Sequence, residues 1–82
     1  MSQEMIEKLK AELSEEIKGV HEYIKLADEV EEYYSCKMLE IAMDEYTHAK
    51  CLCDMLKDEG VPMDEMMESW KEMCRVMDET FH

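Results

Sequence analysis

Two long segments of this chain carry apolar residues at alternating steps of three and four, and one glutamate interrupts each stripe. In the first segment the members are Ile6, Leu9, Leu13, Glu16, Val20, Tyr23 and Ala27; in the second they are Met38, Ala42, Glu45, Ala49, Leu52 and Leu56. This rhythm puts every member of a stripe on one helix face, the buried seam of a helical bundle. A carboxylate on such a seam needs a partner, and a metal ion is one of the few adequate ones. The second stripe adds a pointer of its own. Three residues after Glu45 comes His48, and positions i and i+3 share a helix face, so a carboxylate and an imidazole aim at one spot.

The rest of the sequence agrees with an all-α class. Only two glycines and one proline punctuate it, helix formers dominate, and nothing alternates with period two. We read a single domain over residues 1–82, an antiparallel two-helix hairpin plus a short third helix, with helices over about 3–29, 33–58 and 62–80. Ser2 is the first N-cap. A turn falls near Val30 to Tyr33, where the seam loses phase. Gly60 suits the C′ position of the second helix, with Val61 making the apolar contact beyond it, and Pro62 suits the start of the third. Met63, Met66, Trp70, Met73 or Cys74, and Met77 make that third helix amphipathic, packing outside the hairpin or on a partner. Gly19 lies mid-helix, where close packing of a neighbour is the plain reason for it.

Charge and cysteines narrow the function classes. The net charge of −13, from 22 acidic and 9 basic residues, argues against nucleic acid and suits a protein that attracts cations. No apolar run approaches the roughly 20 residues that span a bilayer. Residues Met1 to Lys10 are polar and charged, unlike a secretory segment, so Cys36, Cys51, Cys53 and Cys74 are expected free in a reducing cytoplasm. The ten methionines read as a plastic apolar surface rather than as haem or copper ligands. His21 reads as solvent-facing, or with Glu22 as an accessory entry point for metal.

A hairpin burying one stripe per helix has little core of its own. Two copies about a two-fold axis would close a four-helix bundle. Its core would then hold Glu16, Glu45 and His48 from each chain, the ligand set of di-metal carboxylate bundles. In that set Glu45 bridges the metals while Glu16 and His48 bind from the sides. A lone Glu-x-x-His says little where acids fill 22 of 82 positions; two glutamates on otherwise apolar seams say more, because an unpaired buried charge is costly. Two other readings stay open. One is a non-enzymatic helical interaction module whose seam glutamates pair with Lys18 or Lys25 across a dimer and whose methionine-rich helix docks a partner. The other is a zinc-binding helical protein using His48 and Cys51, although structural zinc wants four ligands.

Glu16 with Tyr23 and Ala27, then Ile41-Ala42, Glu45-x-x-His48-Ala49 and Leu52 resemble the ferritin-like superfamily, in particular rubrerythrins and the short encapsulated ferritins that look like half-ferritins. The resemblance covers about residues 6 to 57. It implies Fe(II) oxidation with dioxygen or peroxide at a site shared across a dimer, with two irons per dimer held by Glu16, Glu45 and His48; manganese or zinc would also suit those ligands. Tyr23 would be a hydrogen-bond donor behind the ligands or core filler. The resemblance further implies a homo-oligomer, a dimer or an assembly of dimers, and for the encapsulated forms an enclosing protein shell in the cytoplasm. Two departures qualify it. The chain lacks the paired Cys-x-x-Cys motifs of a rubredoxin domain, and its last residues, Asp78 to His82, do not look like the shell-docking peptide.

Overall fold

The computed structural model describes residues 1–81, and those residues are all-helical. The elements are α1 (Gln3–Ala27), α2 (Glu32–Asp58), a 3-10 turn (Asp64–Met66) and α3 (Met67–Phe81). Local chemistry sets the ends. The Ser2 side chain accepts a hydrogen bond from the Met5 N–H at 3.1 Å, the expected N-cap. At the end of α2, Gly60 takes φ +73°. The Val61 N–H donates to the Leu56 carbonyl at 3.0 Å and the Gly60 N–H to the Lys57 carbonyl at 2.9 Å. That pair of bonds is a Schellman cap, and it needs a residue free of Cβ strain at position 60.

The third helix begins later than the sequence suggests. Pro62 stays outside any helix, and the 3-10 turn precedes α3 at Met67. Ser69 Oγ donates to the Met66 carbonyl at 3.1 Å, one of the local side-chain bonds that settle such a junction.

α1 and α2 run antiparallel, giving an elongated body of 44 × 19 × 15 Å. The N-terminal ammonium sits 2.9 Å from Glu59 Oε1, tying the start of α1 to the end of α2. α3 folds back onto the hairpin and completes the core, which joins Leu13, Ile17 and Val20 of α1, Ala49, Cys53 and Leu56 of α2, and Met73 and Met77 of α3. Ile17 and Cys53 lie off the two expected stripes. Each helix buries a second line about 100° round from its seam glutamate, because α3 covers that side. His21 is half-buried rather than solvent-facing, and it lies near Glu72 of α3. No helix among the described residues is long and apolar enough to cross a membrane.

Candidate metal centre

Halfway along the hairpin, α1 presents Glu16 and α2 presents Glu45 and His48 to a common point. One donor atom from each lies within 4.8 Å of the other two. Donors of one ion at bonds of about 2.1 Å stand no more than roughly 4.2 Å apart, so side-chain rotation alone closes the triad round a metal. Antiparallel packing makes the meeting possible, since it sets residue 16 of α1 level with residue 45 of α2, and the helical period adds His48 one turn on.

The electrostatics of the cluster are those of a site short of positive charge. Glu16 Oε2 is buried and accepts no hydrogen bond from any described residue. His48 Nδ1 stands 3.5 Å from it. Among the described residues no lysine or arginine pairs with Glu16 or Glu45, Lys18 and Lys25 being exposed. The Glu45 carboxyl is pushed up to about 7 by hydrogen bonding to Glu16, then by burial and by the Glu16 charge, with His48 pulling the other way. Near neutral pH a proton shared by the two carboxyls thus offsets part of their mutual repulsion.

Gly19 completes the cradle. A Cβ at this position would stand 3.1 Å from Glu45 Oε2 and 3.3 Å from its Cδ. The Glu45 carboxylate therefore lies against α1 in space that only glycine leaves open. The sequence points only to close packing at Gly19 and not to Glu45; a lone glycine within a helix of otherwise strong formers is the available signal.

The site faces away from α3, toward an uncovered side of the hairpin. The His48 side chain is 60 % exposed, whereas that of Glu16 is 20 % exposed. Tyr34, Ile41, His48 and Met55 follow one another at seven-residue steps on α2, and Met5, Glu12, Gly19 and Leu26 do so on α1. Met5, Leu26, Tyr34 and Met55 are exposed by 40–50 %. This second stripe was not read from the sequence, though its period was there to see.

The other weighed residues stand apart from the triad. Tyr23 is half-buried and gives no hydrogen bond to Glu16 Oε2. All four cysteines are free; Cys36 and Cys51 are exposed, Cys74 half-buried and Cys53 buried. No cysteine joins a cluster of potential metal-ligating acids and histidines among the described residues.

No protein-family model, no curated protein and no solved structure matches this chain. Any functional reading therefore rests on the residues themselves.

Proposed function

We propose that the chain is a ferritin-like di-iron carboxylate protein. In this reading two copies pair through the uncovered stripe and oxidise Fe(II) with dioxygen or peroxide at a shared site. The observation that carries the proposal is Glu16 Oε2, buried without a hydrogen-bond partner beside a second carboxylate and an imidazole, with no lysine or arginine among the described residues paired to either carboxylate. Oxygen and nitrogen donors of this kind suit iron, manganese and zinc. A half-site of three donors on an open face leaves room for a second copy to bring Glu16, Glu45 and His48 of its own, the ligand count of a di-metal bundle.

The residues fit the group, and their parts follow from their chemistry. Glu16 offers one carboxylate oxygen, Oε2, that is already buried without a hydrogen-bond donor, so metal binding would cost that atom little further desolvation. Glu45 would give up its proton to a cation, and its carboxylate would then help to hold the metal. His48, on the exposed side, offers an imidazole nitrogen and can swing with little packing cost. When bound, iron supplies the electrons that reduce oxygen or peroxide. The apolar stripe of a second copy would cover His48 and exclude water from the donors.

Anaerobic Fe(II) titration of the apo-protein, followed by air and an absorbance scan for an oxo-bridged ferric band, tests the reading. The expected result is saturation at about one iron per chain in a dimer, with both uptake and band lost in Glu45→Ala. An intact dimer that takes up no iron would replace it with a helical interaction module. Preferential retention of zinc or manganese under competition would keep the site and change the metal.

A further inference from the structure

A separate cavity of about 150 Å³ opens where α2, the loop after it and the start of α3 meet. Cys53, Lys57, Met63, Met66, Met67 and Trp70 line it. It lies on the α3 side of α2, two turns along from Glu45 and round the helix from His48. Its soft donors are one thiol and three thioethers, no carboxylate or imidazole lines it, and the exposed Lys57 ammonium is its one charged group. We propose that this cavity binds a soft monovalent metal ion, Cu(I), through the Cys53 thiolate and the thioethers of Met63 and Met66, with Met67 at the mouth.

Three observations favour a ligand over simple core filling. Methionine is chosen in cores because it bends to fill gaps, yet here three methionines surround a gap that stays open. They come from the loop, the 3-10 turn and the first residue of α3, so the fold brings them to Cys53 from outside its own helix. The burials are graded as a site requires: Cys53 is buried, Met63 and Met66 are half-buried, and Met67 is exposed. Softness then selects the ion. Thiolate and thioether donors prefer Cu(I), whereas oxygen and nitrogen donors are what iron, manganese and magnesium want.

Charge selects it again. One thiolate and neutral thioethers around a monovalent cation make a neutral cluster beside the exposed Lys57 ammonium; a divalent ion would set a net positive charge next to that ammonium. The binding step balances without redox chemistry. The Cys53 S–H releases its proton to solvent, the sulfur–copper bond forms, and copper remains Cu(I). Burial pushes the Cys53 thiol up, opposed by the Lys57 ammonium one turn on, and the entering metal displaces that proton.

Trp70 is the single tryptophan of the chain and forms the cavity wall, so its fluorescence reports occupancy directly. The full chain, with exposed Cys36 and Cys51 changed to serine, is titrated anaerobically with Cu(I) against a chromophoric Cu(I) chelator. The expected result is quenching of Trp70 that saturates at about one equivalent. Cys53→Ser in that background should weaken binding beyond the roughly 10- to 100-fold that loss of an outer-shell partner costs. The paired exchange Met63→Leu with Met66→Leu conserves volume and keeps the helical signal; it should weaken Cu(I) about tenfold or more and leave Fe(II) uptake unchanged. Undiminished affinity in either variant, or binding without Trp70 quenching, overturns the proposal. His48→Ala should leave the Cu(I) isotherm as it was, so this site and the carboxylate site stand or fall separately.

Discussion

Gly19 and Glu45 meet across the hairpin so closely that a Cβ on residue 19 would stand 3.1 Å from Glu45 Oε2. An interior glycine costs helix α1 up to about 1 kcal/mol relative to alanine. The cost is borne at the one level where a carboxylate of α2 lies against α1.

Replacing that glycine separates stability from binding. In Gly19→Ala the flexible Glu45 tip yields by a few tenths of an ångström, and the helix gains propensity. Thermal unfolding of the apo-protein should show stability unchanged or raised by up to about 1 kcal/mol. Metal affinity in the same variant should fall about tenfold, because a shifted donor no longer meets the other two. A variant that is both less stable and equally tight in binding would mean that Gly19 serves packing alone.

Removing the orphaned carboxylate should stabilise the empty protein. Glu16→Met exchanges a buried oxygen without a hydrogen-bond partner for a thioether of similar reach. The urea midpoint of the apo-protein should rise, by about 1–3 kcal/mol in free energy, while metal uptake is abolished. A fall in stability would show that the Glu16 contact with His48 outweighs its desolvation.

The Glu45 carboxyl sets a pH dependence. Its folded value of about 7 lies above the ordinary 4.5, so between those values the folded chain holds a proton that the unfolded chain has lost. Stability from this group is therefore full below about pH 4.5 and is lost as pH rises to about 7. Urea midpoints of the apo-protein measured across that window should decline with pH, and Glu45→Gln should flatten the curve. Metal binding has the opposite sense: it releases the same proton, so affinity should climb as pH rises toward 7. A Glu45→Gln curve parallel to the wild type would place the titration elsewhere.

A charge on the uncovered stripe should separate two copies. Ile41 is seven residues before His48 on that face and is half-buried in the single chain. Ile41→Glu should leave the hairpin helical and convert a dimer to a monomer in sedimentation velocity, since a carboxylate facing its own symmetry mate has no partner. Iron uptake should fall with it, although Glu16, Glu45 and His48 are untouched. Full uptake by a monomer would make the triad a self-sufficient site.

Much of the hairpin is legible from spacing. The three-four rhythm names Leu13, Val20, Ala42, Ala49 and Leu56, which are all buried, because one helix face is a local property of sequence. The same rhythm passes over Ile17 and Cys53, equally buried, because their burial depends on where α3 lands. It also gives His21 to solvent, although the return of α3 brings Glu72 near it. The late start of α3 escaped for a local reason: proline permits a first helical turn but does not compel one. Glu16, Glu45 and His48 stand out in sequence because two of them break apolar stripes and the third sits one turn away. Gly19 stands out only as a lone glycine among helix formers, as nothing in α1 names the residue of α2 that lies against it.

The sequence by itself determined the two long helices, the Ser2 and Gly60 caps, the seam each long helix buries and the Glu45-x-x-His48 spacing, since hydrogen-bond caps and helical period act within a few residues. Only the tertiary structure decided that Glu16 meets Glu45 and His48, that Glu45 rests on Gly19, and that one side of the hairpin is covered by α3 while the other stays open. Those relations depend on the antiparallel register of α1 and α2 and on the angle at which the chain leaves the Gly60 cap. Both are settled by packing between residues far apart in the chain, where no local period reaches.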